Sequence, residues 1–264
     1  MNAASLAVRQ IRSTNKAFWR NPASAFFTFA FPLMFLVIFT SLLGTGEILI
    51  QGTDLDQATY FVGAMGAFGV VSACFTNIAI TVTFQRDQGI LKRLRGTPLP
   101  SWTYLSARVV HSMFVASILL AITLAFGRLF YGTALPTGVP LLEFVLTFVV
   151  GGLSLAALAL ALTGAIPNAD AAPPIVNAVI LPLLFLSGIF IPLGDDAPEW
   201  IRIVGQIFPV KHFADAMLAS FLGNVTADGA RVFPFDWSDI LVIAAWGVAG
   251  LILASRFFSW EPRK

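Results

Sequence analysis

Charge is what this chain has least of. Only 11% of its 264 residues are Asp, Glu, Lys or Arg, against about 25% in a typical soluble domain. A soluble fold of this length would bury a large core but would still need a polar shell. With 57% hydrophobic residues and 25 phenylalanines, there is not enough polar sequence to make one. The composition therefore excludes a water-soluble enzyme and points to an integral membrane protein. Cysteine is equally scarce. Cys74 stands alone in an apolar run, so an internal disulfide and a cysteine-based zinc site are both excluded. It reads as a small buried hydrophobe.

Catalytic chemistry is missing as well. None of the four lysines (Lys16, Lys92, Lys211, Lys264) carries the glycine spacing of a phosphate-cradling GxxxxGK[ST] loop. The chain is not expected to hydrolyse ATP by itself. There are two histidines. His212 and Asp215 lie one helical turn apart, but two ligands make a poor metal site, and a structural role is the plainer reading. His111 lies a turn from Arg108 near the inner end of an apolar stretch. It is a functional candidate as an intramembrane ionisable group, or a packing residue beside a snorkelling arginine. No Gly-x-Ser-x-Gly elbow occurs and no paired carboxylates fall within an apolar stretch. No catalytic, cofactor-binding or metal-ligating residues are expected.

Long apolar runs are what the sequence does have. Stretches able to form helices of about 20 residues lie at 23–43, 60–84, 104–130, 141–166, 172–193 and 240–258. Six spans place both termini on one side. With the termini cytoplasmic, the inner segments hold Arg9, Arg12, Lys16, Arg20, Arg86, Lys92, Arg93, Arg95, Arg108, Arg256, Arg263 and Lys264, which is twelve of the 16 basic residues. The positive-inside rule supports that orientation. The net charge of +2 then describes topology, and no nucleic-acid partner is expected. The expected fold is an all-α polytopic membrane protein, one domain over 1–264. Pro32 and Pro182 are expected to bend spans one and five.

Three segments depart from simple crossings. Residues 1–22 mix Leu6, Val8, Ile11, Phe18 and Trp19 with four basic residues. They read either as an amphipathic helix on the inner membrane surface or as a basic leader that only sets topology. Residues 192–223 contain two apolar stretches too short to cross, split by Pro209. A helical hairpin re-entering the outer leaflet fits them. Residues 84–100 are charged and tied down by a span at each end. As a helix they place Phe84, Asp87, Leu91 and Leu94 on one side and Gln85, Gln88, Lys92 and Arg95 on the other. Gly96, Pro98 and Pro100 stop it. Such a helix is a handle by which another protein could move the membrane part. Leu91 and Leu94 would be buried either in a partner's groove, with Arg86, Arg93 and Arg95 at its rim, or against the chain's own helix ends.

Polar groups inside the spans are few. Asn77, Thr81, Ser112 and Asn177 are the candidates for a translocation path, although interhelical hydrogen bonds explain each of them too. Gly151, Gly152, Ser154, Ala156, Ala157, Ala161 and Gly164 give span four a small-residue face for close helix packing.

The 84–100 segment resembles the loop between spans two and three of ABC-2 type permeases, particularly the drug-exporter branch typified by the daunorubicin-resistance permease. Arg86-Asp87, Gly89, Leu91, Arg93-Leu94-Arg95 and Thr97-Pro98-Leu99 carry the likeness. Arg20-Asn21-Pro22 with Phe31-Pro32 resembles the family's entry to span one. Ser187-Gly188-Ile189-Phe190-Ile191-Pro192, Pro198-Glu199-Trp200 and Phe208-Pro209-Val210 resemble its fifth span and outer hairpin. Lys92 departs from the pattern, since many relatives carry an acid there.

The resemblance implies a permease subunit of an ATP-binding-cassette exporter in the bacterial plasma membrane. It implies a coupling helix that docks two copies of a separate ATPase subunit, which hold ATP and Mg. The docking residues would be Arg86, Asp87, Gly89, Leu91, Lys92, Arg93, Leu94, Arg95 and Pro98. A second permease chain, identical or paralogous, would complete the path for a hydrophobic or amphipathic cargo such as a drug or lipid. The competing classes are a secondary transporter, which would need intramembrane acids near broken helices, and a membrane-embedded enzyme, which would need a catalytic cluster.

Overall fold

The computed structural model describes residues 3–43, 47–50, 53–96, 100–193, 198–227 and 230–261. Helix α1 (Ala3–Trp19) leads into α2 (Pro22–Leu43). Strands β1 (Glu47–Ile50) and β2 (Thr53–Asp56) form a small antiparallel hairpin with Glu47 opposite Asp56. An unbroken helix follows, made of α3 (Gln57–Val71), a π-type turn (Ser72–Thr76) and α4 (Asn77–Asp87). Next come the short α5 (Ile90–Arg95), α6 (Ser101–Tyr131), α7 (Val139–Thr163), α8 (Ala172–Leu186), α9 (Glu199–Ile207) and α10 (Pro209–Phe221). A second hairpin of β3 (Thr226–Ala227) and β4 (Ala230–Arg231) precedes α11 (Trp237–Phe257). The chain is predominantly helical, as its composition implies. The two small hairpins lie in the connections before α3 and before α11.

The α3–α4 helix is the centre of the bundle. Fourteen of the fifteen residues of α3 are buried, and α2, α6, α7 and α10 pack around it. Its start is capped by Asp56, whose carboxylate accepts from the Thr59 backbone N–H at 3.0 Å. A π turn widens the helix and leaves backbone carbonyls without their usual donors. The Ser112 hydroxyl of α6 fills one of these vacancies by donating to the Ala73 carbonyl. Glycines then set how close the helices come. A Cβ on Gly69 would sit 2.7 Å from Leu119 of α6, and one on Gly250 of α11 would sit 2.9 Å from the Leu158 backbone of α7. The expected small-residue face of α7 is that packing surface, with Gly151 against the Phe213 ring and Ser154 against Gly247.

Among the described residues, five helices are long and apolar enough to cross a membrane: α2, α3–α4, α6, α7 and α11. The expected fifth span, 172–193, is shorter than that. Helix α8 stops at Leu186 after 15 residues, about 22 Å, against a hydrocarbon core of about 30 Å. The stop has local causes. The Ser187 hydroxyl donates to the Leu184 carbonyl at 2.8 Å. Gly188 turns the chain with φ +84°, a conformation that glycine accepts readily. Tyr60 of α3 then donates to the Gly188 carbonyl at 2.7 Å. Beyond the turn, Ile189 and Phe190 stay buried, and the Phe190 ring packs among Phe35, Phe39, Phe68 and Phe185. Pro32 and Pro182 are accommodated inside continuous α2 and α8.

Candidate functional site

The C-terminal end of the central helix gathers the charged residues picked out by the sequence. The α3–α4 helix runs for 31 residues, about 46 Å, and so is longer than a hydrocarbon core is thick. Gly89, at φ +71°, turns the chain and starts α5. An Ala there would adopt the left-handed region at roughly 1–2 kcal/mol. Gly89 is thus the turn between two helices. On α5 the side chains divide cleanly. Leu91 is fully buried and Leu94 partly so. Lys92, Arg93 and Arg95 are exposed, with Gln88 beside them.

Burial bears on two of the expected docking residues. Leu91 is buried by its own chain, in the same cluster as Val82 and Tyr104, which is the second of the two covers open to it. Arg86 is also buried, at 1% exposure, and so cannot sit on a docking rim. The reason is the end of α7. The Thr163 carbonyl would receive its helical hydrogen bond from residue 167, which is Pro167 and has no N–H. Arg86 supplies the donor: Nη1 lies 2.6 Å from Thr163 O, and Nη2 lies 2.6 Å from Ile166 O and 3.3 Å from Pro167 O. A cation at a helix C-terminus also meets the negative end of its dipole. The neighbours on each side of Arg86 are engaged as well. Asp87 Oδ2 accepts from the Ala169 backbone N–H at 3.2 Å, and Gln85 Oε1 accepts from the Tyr104 hydroxyl at 2.7 Å. Pro98 lies outside the described residues.

The four path candidates are not brought together. Thr81 donates to Asn77 Oδ1 at 3.4 Å within α4. Ser112 is spent on the π turn. Asn177 is exposed on α8. His111 packs edge-on against Phe18 of α1 at 5.4 Å, and Arg108 lies 5.4 Å above the Tyr104 ring. Helix α1 thus packs along the inner part of α6.

At the other end, α9 and α10 form the broken pair expected around Pro209. The break lies beside the middle of α11, where it needs donors. The Trp246 indole donates to Ile207 O at 3.1 Å, and His212 Nε2 lies 2.9 Å from Gln206 O. His212 Nδ1 faces Asp239 Oδ1 at 2.6 Å. Both ring nitrogens therefore meet oxygen acceptors. Asp215 is engaged by Lys211 at 2.7 Å, so the sequence neighbours His212 and Asp215 do not share a ligand. Among the described residues, no group of three His, Cys, Asp or Glu could hold a metal. Asp239 was missed in the sequence because it lies 27 residues from His212. Replacing Trp246 with Phe is expected to remove its hydrogen bond to Ile207 O and to cost about 0.5–1.5 kcal/mol. Thermal unfolding of the purified chain reads this directly, and an unchanged midpoint would count against the capping role.

Two cavities flank the broken pair. One, of about 410 Å³, is apolar and lies between α7, α8, α10 and α11, with Phe75, Leu183, Phe208 and Trp246 in its wall. The other, of about 310 Å³, is polar, with Tyr60, Lys211, Asp215 and Asp239 in its wall.

The family model described as ABC-2 type transporter matches residues 6–222. The chain belongs to this family. Relatives carry the same message. The probable multidrug ABC transporter permease YbhR of Escherichia coli (strain K12) is 26% identical over 203 residues, covering 77% of this chain and 54% of that protein. The putative transport permease YvfS of Bacillus subtilis (strain 168) is 23% identical over 238 residues, 89% of each chain. The chain thus spans about half the length of the Escherichia coli relative and most of the Bacillus subtilis one. ABC-2 permeases are transport proteins, generally non-catalytic, and normally work with an ATP-binding subunit. The matched stretch takes in α1, the inner charged segment and the whole broken pair.

Proposed function

We propose that this chain is the membrane-spanning subunit of an ATP-binding-cassette exporter of the drug-exporter branch, a single domain over 1–264 in a bacterial plasma membrane. The observation that carries the reading is the cationic face of α5, with Lys92, Arg93 and Arg95 exposed just below the projecting end of the central helix. In an ABC-2 permease that face is the docking surface for the ATP-binding subunit. Two such subunits, holding ATP and Mg, serve two permease chains. The chain crosses six times with both termini cytoplasmic, and the fifth crossing is α8 extended by the non-helical 187–193 segment. Helix α1 lies on the inner surface, and the α9–α10 pair re-enters from outside and shapes the exit. A hydrophobic or amphipathic cargo, drug or lipid-like, fits a path walled by apolar helices. Asn77, Thr81 and the outward-facing Asn177 are its polar points, the last of them opposite a second chain.

The test is biochemical. The isolated chain is expected to show no ATP hydrolysis, because no phosphate loop occurs in its sequence. Co-expressed with an ATP-binding subunit from a neighbouring reading frame, it should co-purify with that subunit and hydrolyse ATP. Turnover by the rigorously isolated chain, or failure of every such subunit to co-purify, would overturn the reading.

A further inference from the structure

Docking on α5 explains how a partner could hold this chain, but it does not explain how a push on three exposed side chains of a six-residue helix reaches the spans. The inner segment divides its residues between these two tasks. Residues 88, 92, 93 and 95 face outward. The three residues just before them face inward, and each grips a different part of the bundle. Gln85 is joined to Tyr104 of α6, Arg86 to the last carbonyls of α7 and its following loop, and Asp87 to Ala169 at the approach to α8.

We propose that Arg86, with Asp87, is the transmission residue of this transporter: it clamps the end of α4 to the α7–α8 connection, so that displacement of α5 moves α4, α7 and α8 together. This rests on the exporter reading above. The chemistry suits a rigid link. A guanidinium presents several donors in a fixed plane, and here two of its nitrogens hold carbonyls at 2.6 Å while the side chain is sealed from water. Charge-assisted bonds of this kind are stronger than neutral ones. A buried charge is also held in place by the cost of losing its partners. An apolar contact would slide under load, whereas this one has discrete donors and acceptors. The linked elements are also the ones that shape the two cavities, since α7 and α8 wall the apolar one and the α8 end borders the polar one.

The experiment uses the full permease–ATPase complex in nanodiscs. Cys74 is buried, so after Cys74→Ser a single reporter cysteine replacing Asn224, exposed next to the β3–β4 hairpin, can be labelled cleanly. Its labelling rate is compared with and without a non-hydrolysable ATP analogue. Wild type is expected to show a nucleotide-dependent change in rate. Arg86→Gln should still co-purify with the ATPase subunit but lose at least tenfold of that change. Arg86→Lys, which keeps the charge but reaches fewer carbonyls, should recover part of it. A disulfide placed between positions 87 and 169 in the Arg86→Gln chain, with position 224 read by a non-cysteine fluorescent residue in both this chain and wild type, should restore the response on oxidation and lose it on reduction. A merely structural role would not give that reversible rescue.

A full wild-type response in assembled Arg86→Gln complex would overturn the proposal. Should Arg86→Gln fail to insert, Arg86→Lys carries the same test, and a full response there overturns it equally. Failure of wild type to bind any ATPase subunit would instead remove the exporter reading on which the proposal stands.

Discussion

Leu91→Asp is expected to prevent the isolated permease from folding, before any partner is met. Leu91 is fully buried although it sits on a short, basic helix of six residues. Burying a leucine contributes roughly 1.5–3 kcal/mol. A carboxylate at the same place would lose that and, taken out of water, would add a penalty of several kcal/mol more. Against a typical stability of about 5–15 kcal/mol, the sum removes most of what holds the inner end together. The check is the fraction of detergent-extracted protein that elutes as a single species, together with its unfolding midpoint. Leu91→Ala should be intermediate, at about 2–5 kcal/mol. A Leu91→Asp chain that folds normally and fails only to bind the ATPase subunit would mean that the leucine belongs to a partner's groove after all.

Leu91 shows where reading the sequence stops. Helical periodicity put Leu91 and Leu94 on one face and Lys92 and Arg95 on the other, and that division is what α5 displays. What covers an apolar face is not encoded in the period. Here the cover is the chain's own bundle, formed by residues far away in sequence. The same holds for Arg86. Its neighbours in sequence mark it as one more surface cation of a basic loop, and only the fold brings it to Thr163, 77 residues on. A clue was present, since Pro167 deprives the Thr163 carbonyl of its donor, but it says nothing about which side chain makes up the loss.

Membrane spans were the most readable feature because length and hydropathy decide them locally. Five expected stretches are helices of spanning length. The sixth, 172–193, was read as one run because Ser187-Gly188 does not interrupt hydropathy. It interrupts the helix instead, through a positive φ and the Tyr60 hydrogen bond. The broken pair at Pro209 was likewise readable from proline and from apolar stretches too short to cross. Its donors were not, because Trp246 and Asp239 come from a different helix. Local patterns thus predicted the elements, while the groups that satisfy their exposed backbone ends come from tertiary contacts with no sequence signature.

Reversing the three exposed charges of α5, Lys92→Glu with Arg93→Glu and Arg95→Glu, is expected to release the ATPase subunit while leaving the permease folded. The three side chains are exposed. Arg93 makes one long contact, Nη2 to the Gln88 carbonyl at 3.5 Å, so little intramolecular stability depends on them. Single surface ion pairs contribute only about 0–1 kcal/mol, and Arg93→Ala alone should therefore weaken association by severalfold at most. Reversal does more than deletion. Each attraction to an acidic partner surface becomes a repulsion of similar size, so three sites together amount to roughly 3–4 kcal/mol, or more than a hundredfold in Kd. Lys92, Arg93 and Arg95 together make this face strongly basic, which sharpens the expectation of an acidic partner. Salt provides an independent check. At about 1 M ionic strength the Debye length falls to ~3 Å, so the wild-type complex should weaken markedly while the triple variant, already released, should not respond. Retention of the partner by a folded triple variant, with salt-independent binding of wild type, would show that α5 docks through something other than its cations, or does not dock at all.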